Sequence, residues 1–137
     1  DPAPAVSAYD IVVATEGMDG PTAEAARAAR VSPLGSPSEA IAHADWIVSA
    51  VTASSSLAAG QSVAPAIAAG QIFIDINSVS PGRKQETAAL LVSKGAAYVD
   101  MAVMAPVHPR GHRTPACPLY TSPSPRDRTR TRMPALA

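Results

Sequence analysis

The residues best placed to contact a ligand follow the end of a predicted strand at residues 72–76. They are Asn77 and Ser78. In an open parallel sheet the carboxyl ends of the strands meet along one edge, and ligands bind in the crevice outside that edge. The polar connection at residues 75–82, Asp-Ile-Asn-Ser-Val-Ser-Pro-Gly, lies at such a strand end. We therefore expect a nucleotide cofactor to bind there.

A second group of reactive side chains lies in residues 105–115. Two histidines four residues apart would suggest metal ligands on a helix, but the proline and glycine between them disfavour a helix. No cysteine or carboxylate completes a ligand set, so we expect no metal site. We interpret Arg110, His112 and Arg113 instead as a cationic loop for a substrate carboxylate or phosphate.

The elements that would position these residues alternate between strand and helix. Residues 72–76 and 98–104 have the length and apolar content of strands, and residues 81–94 predict a helix between them. Ser80 would cap that helix and Pro81 suits its first position. Ala88, Leu91 and Val92 would form its inward face.

The chain before this unit continues the alternation. We predict strands at residues 6–9, 31–34 and 46–51, and helices at residues 22–30 and 36–43. A weaker helix is predicted from the end of the polar turn at residues 52–56 to about residue 69. The first strand is open to continuation through residues 11–13. The unbroken apolar run at 46–51 is typical of a strand buried on both faces. Short connections between alternating elements predict an α/β fold with a parallel sheet and helices on its faces.

Composition and charge narrow the classes of partner. The chain has 137 residues, enough for one domain. Its formal net charge is zero, but residues 1–116 carry ten acidic against seven basic residues, which disfavours nucleic acid or an acidic membrane as partner. The single cysteine has no partner for an internal disulfide, and no apolar run approaches the roughly 20 residues that span a bilayer. We expect a cytoplasmic protein.

Three segments resemble a known family. Residues 75–81 resemble an Asp-x-Ser-Thr-x-x-Pro segment, residues 98–103 resemble a Val-Asp-Ala-Pro-Val segment, and residues 105–115 are similar to one branch of the family. On these segments, residues 5–115 resemble the cofactor-binding domain of the β-hydroxyacid dehydrogenases. This group includes 6-phosphogluconate dehydrogenase and 3-hydroxyisobutyrate dehydrogenase.

The resemblance implies hydride transfer between NAD or NADP and a small hydroxy acid, in a homo-oligomeric enzyme. It implies that Asn77 and Ser78 lie by the nicotinamide ribose and the substrate, and that Val51 and Thr52 lie along the cofactor. Asp10 would accept hydrogen bonds from the adenine-ribose hydroxyls. Simpler interpretations stay open: Asn77 and Ser78 are also typical turn and cap residues, and Asp10 could merely end a strand.

The sequence also departs from the family pattern. It contains no Gly-x-Gly-x-x-Gly turn, and where the family has Ser-Gly-Gly after the second segment it has Met-Ala-Pro. The resemblance therefore implies a partial Rossmann-type, doubly wound parallel sheet that lacks its first strand and its glycine-rich turn. The catalytic lysine of the family is expected in a missing helical domain, so we expect this chain to be inactive alone. The alternative is a non-enzymatic doubly wound α/β binding or regulatory module.

The last part of the chain has a different character. Residues 116–137 show no hydrophobic period and are rich in Pro, Ser, Thr and Arg, which is typical of disorder. Residues 117–127 resemble one reading frame of a transposase-type DNA sequencing adapter, with Pro118 as the difference. We expect a partial dinucleotide-binding domain at 1–115 and a disordered, non-native tail at 116–137.

Overall fold

The strands form two separate sheets in the computed structural model, which describes residues 5–103, Thr114 and 116–118. The elements are β1 (Val6–Ala8), α1 (Ile11–Glu16), α2 (Pro21–Ala28), β2 (Val31–Pro33), α3 (Pro37–Ile41), β3 (Trp46–Ser49), α4 (Ser56–Val63), β4 (Ile72–Asp75), α5 (Pro81–Val92), β5 (Ala97–Val103) and β6 (Ala116–Pro118). Strands β1 and β2 pair in parallel, and β3, β4 and β5 form a second parallel set. The predicted α/β fold with parallel strands is confirmed.

The break between the two sheets has a defined place in the strand order. In the doubly wound order 3-2-1-4-5-6 the first strand lies between the second and the fourth. Here β2 and β1 form one sheet and β3, β4 and β5 the next, and no strand from the described residues joins β1 to β3. The arrangement is that of a Rossmann-type sheet without its central strand, as the resemblance implies.

The first strand is shorter than one open interpretation of the sequence allowed. Residues 11–13 do not extend β1 but begin α1. Asp10 is the reason, because its backbone is extended and its Oδ1 accepts a hydrogen bond from the Val12 N–H at 2.8 Å. A carboxylate at this position satisfies one of the otherwise unpaired N–H groups of the first helical turn.

The core lies between α3, α4 and α5 on one side and β3 and β4 on the other. Phe73 and Leu91 are its most buried large side chains, at 2% and 0% exposure. The buried cluster consists of Ile41, Ile47, Val63, Ala64, Ile67, Phe73, Leu91 and Ala96. These side chains fix β4 beneath α4 and α5, and so fix the loops that leave its carboxyl end.

Strand β3 is not buried on both faces, contrary to the sequence prediction. Ile47 and Ser49 are buried, whereas Trp46 and Val48 are 69% and 58% exposed. The reason is that only one face of β3, the face that carries Ile47, packs against the core. An apolar run alone does not reveal which neighbours cover a strand.

Two further boundaries differ from the predictions. Helix α4 ends at Val63, before Pro65, because proline lacks the N–H that continues a helix. Residues 116–118, part of the segment expected to be disordered, form β6 and pair antiparallel with β5. The expectation is therefore wrong for these three residues, whose backbone groups bond to the open edge of β5. The domain boundary and the character of residues 119–137, which lie outside the described residues, stay predictions.

Candidate functional site

The candidate site lies where β3 and β4 end. These strands are parallel neighbours, and Ser49 pairs with Asp75 in their register, so the loops that follow lie side by side. They border a shallow depression of about 350 Å³. Its lining residues are Ala50, Val51, Ala53, Ile76, Asn77 and Ser78. The structure thus brings together Val51, Asn77 and Ser78, with Thr52 next along the first loop.

Asn77 joins the two loops through its side chain. Its Oδ1 accepts a hydrogen bond from the Val51 N–H at 2.6 Å. Its Nδ2 donates to Ser49 Oγ at 3.0 Å and to Asp75 Oδ1 at 2.7 Å. Both amide protons are used and the residue is 5% exposed, so the side chain acts as a brace between loops.

Ser78 and Thr52 differ from Asn77 in being exposed. Ser78 lines the depression. Thr52 Oγ1 lies 3.1 Å from Ser54 Oγ and donates to Ser55 Oγ at 3.0 Å, and so organises the 3-10 turn that precedes α4. Ser78 therefore offers a hydroxyl beside the depression, whereas the Thr52 hydroxyl bonds within its own turn.

Asp10 lies in the other sheet, after β1. It is exposed, and one of its carboxylate oxygens is used as the cap of α1. An ionised carboxylate has acceptor capacity on both oxygens, so the cap leaves acceptor capacity for a ligand. The structure therefore fits both interpretations of Asp10, and its contact with a ribose stays a prediction.

A largely buried charged cluster contacts Asn77 through Asp75. Lys84 Nζ donates to Asp100 Oδ1 at 2.5 Å and lies 3.4 Å from Asp75 Oδ1. The same ammonium donates to the Asp75 carbonyl at 3.2 Å. Asp75 Oδ2 accepts from the Tyr98 hydroxyl at 2.7 Å. Lys84 and Asp100 also line a second depression, of about 330 Å³, between the ends of β4 and β5.

Tyr98 is held as a neutral phenol by this environment. Burial is the largest effect that raises its pKa well above the ordinary value of 10.0, followed by the hydrogen bond to Asp75 and the charges of Asp75 and Asp100. Its ring also stacks on Phe73, with centroids 5.9 Å apart. Tyr98 is therefore a fixed donor to Asp75, anchored in the core.

Sequence reasoning found part of this cluster. From the sequence, Asp75 is predicted to be structural, because a carboxylate in an apolar strand needs backbone partners. The Asn77 N–H, which donates to Asp75 Oδ1 at 2.9 Å, confirms this prediction. Sequence reasoning missed Lys84, because lysine is rarely buried. The signal was present: Asp75 and Asp100 occupy paired positions on adjacent strands, and two such carboxylates need a cation.

The remaining predictions concern the substrate loop, metal ligands and membrane spans. Arg110, His112 and Arg113 lie outside the described residues, so their substrate role stays a prediction. Among residues 5–103, 114 and 116–118, no three His, Cys, Asp or Glu side chains are grouped as metal ligands. In the same part of the chain, no helix has both the length and the apolar character needed to cross a bilayer.

Comparison with known families assigns this fold. Residues 6–107 match the NAD-binding domain of 6-phosphogluconate dehydrogenase. The chain belongs to this family. Its cofactor is therefore a nicotinamide dinucleotide, NAD or NADP. No curated protein sequence matches the chain.

Solved structures show the same fold. A conserved hypothetical protein from Sinorhizobium meliloti 1021 is 34% identical, with a TM-score of 0.70 over 81% of this chain and 37% of that one. The 3-hydroxyisobutyrate dehydrogenase of Mycobacterium tuberculosis is 27% identical, with a TM-score of 0.63 over 77% of this chain and 34% of the enzyme. A reductive aminase from Aspergillus terreus, solved with NADPH, shares the fold at 18% identity, with a TM-score of 0.58 over 75% of this chain and 34% of that one. The chain thus spans little more than a third of the length of these proteins.

Proposed function

We propose that the loops after β3 and β4 hold the nicotinamide end of NAD or NADP, in an oxidoreductase that transfers a hydride to or from a hydroxy acid. The observation that carries this proposal is the depression between Val51 and Ser78, whose two walls are tied together by Asn77. Membership of the family supports the cofactor. The likeness to a 3-hydroxyisobutyrate dehydrogenase supports the hydroxy acid.

The residues around the depression suit the two parts of a nicotinamide riboside. Val51 is 41% exposed and offers an apolar surface to a ring, while the Ser78 hydroxyl can bond a ribose hydroxyl or the carboxamide. The bound cofactor supplies the hydride chemistry, and the chain supplies its position and surroundings. Asp10 is proposed for the adenine ribose, and Arg110, His112 and Arg113 for the acidic group of the substrate.

The chain as given is proposed to bind the cofactor weakly and to be inactive alone. The pyrophosphate of a dinucleotide normally rests on a glycine-rich turn at a helix N-terminus. The sequence contains no Gly-x-Gly pair, so no such turn is available to the phosphates. The general base is expected in a further helical domain. A cytoplasmic location and a homo-oligomeric enzyme complete the proposal and rest on the sequence and the resemblance.

The experiment that tests the proposal is an NMR titration of the ¹⁵N-labelled chain. Reduced nicotinamide mononucleotide, NADH and NADPH are added in turn, with AMP as the comparison ligand. We expect weak binding, with a Kd on the order of 1 mM. The amides of Val51, Thr52 and Ser78 should shift with every ligand that carries the nicotinamide, and no steady-state oxidation of 3-hydroxyisobutyrate or 6-phosphogluconate should appear.

The opposite results are equally clear. If nicotinamide ligands leave residues 50–52 and 76–78 unchanged, the site proposal is wrong. If AMP shifts these amides and the mononucleotide does not, a non-enzymatic nucleotide-binding module becomes the better account. Turnover by the 137-residue chain would show that the expected inactivity is wrong.

A further inference from the structure

We propose that Lys84 is a positioning residue for the edge of the sheet where the cofactor is proposed to bind. It acts through Asp75 and Asn77 on the loop that carries Val51. The proposal rests on the proposed function, because it assigns the buried cluster to the shape of that same site. We call this series of contacts the relay. Its first step joins the Lys84 ammonium to the Asp75 carboxylate, its second joins that carboxylate to the Asn77 amide, and its third joins that amide to the loop after β3.

The first step is the placement of one ammonium between two carboxylates. The side chains of Lys84 and Asp75 are 10% and 1% exposed, so each charge needs an opposite charge nearby. The ammonium has three protons, and its contacts are Asp100 Oδ1, the Asp75 carbonyl and Asp75 Oδ1. These protein contacts occupy the ammonium, which suits Lys84 to positioning Asp75.

The second step is the use of Asp75 as an acceptor. Its Oδ2 accepts from the Tyr98 hydroxyl, and its Oδ1 accepts from both the backbone N–H and the Nδ2 of Asn77. Only an ionised carboxylate offers acceptor sites to all of these donors. The ammonium of Lys84 supplies the opposite charge that a carboxylate 1% exposed requires.

The third step is the orientation of the Asn77 amide. Because Nδ2 donates to Asp75, the opposite side of the amide, Oδ1, faces the Val51 N–H. An amide turned by half a rotation would set an N–H against the Val51 N–H. The charge on Asp75 therefore selects the one amide orientation that holds the loop after β3 against the loop after β4.

The test compares Lys84→Met with Lys94→Met in the full chain. Methionine keeps most of the lysine stem without the charge, and Lys94 is exposed beyond the end of α5. We expect Lys84→Met to shift or broaden the Val51 amide and the Asn77 side-chain amide signals in the absence of ligand. We also expect it to weaken binding of reduced nicotinamide mononucleotide roughly tenfold, which corresponds to about 1.4 kcal/mol. Lys94→Met should leave both readouts as in the parent chain.

Two additions keep the test decisive. If Lys84→Met does not fold, Tyr98→Phe removes one donor to Asp75 while keeping the aromatic ring, and the relay predicts shifts at the same Val51 and Asn77 nuclei. Lys84→Arg retains the positive charge and should restore most of the ligand-free signals. A folded Lys84→Met or Tyr98→Phe variant whose Val51 and Asn77 signals match the parent chain would overturn the relay.

The outcomes also separate the relay from the proposed function. The signals of Val51 and Asn77 are read without ligand, so they test the relay even if nicotinamide does not bind. Conversely, shifted signals together with unchanged affinity would show that the relay exists but does not shape the cofactor site, and would overturn the positioning role.

Discussion

At the scale of single residues, Asn77 and Ser78 are neighbours with opposite environments. The sequence places both after a strand and predicts the same role for both. It does not predict that Asn77 turns inward, because that depends on Ser49 and Val51, which lie 26 to 28 residues earlier in the chain. The position of a polar residue at a strand end is predictable, but its partners depend on the neighbouring strand.

This difference gives the first prediction, which contrasts two alanine variants. Asn77→Ala should lower the free energy of unfolding by about 1–3 kcal/mol, because it leaves the buried Asp75 carboxylate and the Val51 N–H with fewer partners. Ser78→Ala should change stability by less than about 0.5 kcal/mol but weaken nicotinamide binding several-fold. Urea denaturation followed by far-UV circular dichroism measures the first effect, and NMR titration the second. Equal losses of stability in the two variants would contradict the assigned environments.

The second prediction concerns the pH dependence contributed by Tyr98. Its pKa is raised in the folded chain above the unfolded value of 10.0, so the folded state holds the phenol proton more tightly. The stabilisation is complete below about pH 10 and declines as the pH rises further toward the folded pKa. Between about pH 9 and 11, the urea midpoint of the parent chain should therefore fall more steeply than that of Tyr98→Phe. Parallel curves for the two chains would refute the prediction.

At the scale of elements, helix α5 shows how an inward face can be partly mispredicted. Leu91 is fully buried as expected and Ala88 is partly buried, but Val92 is 54% exposed. The buried positions are Lys84, Thr87 and Leu91, a stripe that includes a charged residue. Hydrophobic periodicity overlooks such a stripe, because it ranks valine above lysine and has no information about Asp75.

The contact between α4 and α5 gives the third prediction. A Cβ on Gly60 would lie 2.6 Å from Thr87 Cγ2, and Thr87 is 1% exposed with a branched, stiff side chain. Gly60→Ala should therefore lower the free energy of unfolding by about 1–3 kcal/mol through overpacking. Gly82→Ala is the matched control in α5, where nothing lies within 4 Å of the new Cβ. It should leave stability unchanged or raise it by up to about 1 kcal/mol. A neutral Gly60→Ala in urea denaturation would show that the helices are not this close.

At the scale of the whole molecule, the two sheets differ in how well they are covered. All three residues of β1 are exposed, whereas Phe73, Ile74 and Asp75 of β4 are buried. The Ser7 hydroxyl donates to the Ala40 carbonyl at 2.8 Å and is one link from β1 to the end of α3. The sequence predicted the order of the elements, and the resemblance predicted the missing central strand. Neither indicated that the sheet of β1 and β2 would be much less buried than the sheet that contains β4.

The fourth prediction follows from this inequality. Amides in β1 and β2 should exchange with solvent at least about tenfold faster than those in β4, because local opening of the two-stranded sheet exposes little buried apolar surface. Hydrogen–deuterium exchange read by NMR measures this directly. A single free energy of opening common to both sheets would show instead that the chain unfolds as one unit.

The central claim is that a nicotinamide ring lies between the loops that follow β3 and β4. Intermolecular nuclear Overhauser effects between reduced nicotinamide mononucleotide and the labelled chain test it most directly. The account predicts contacts from the nicotinamide ring protons to the Val51 methyl groups, and from the ribose protons to Ser78. Contacts confined to other surfaces, with none to residues 50–52 or 76–78, would contradict it.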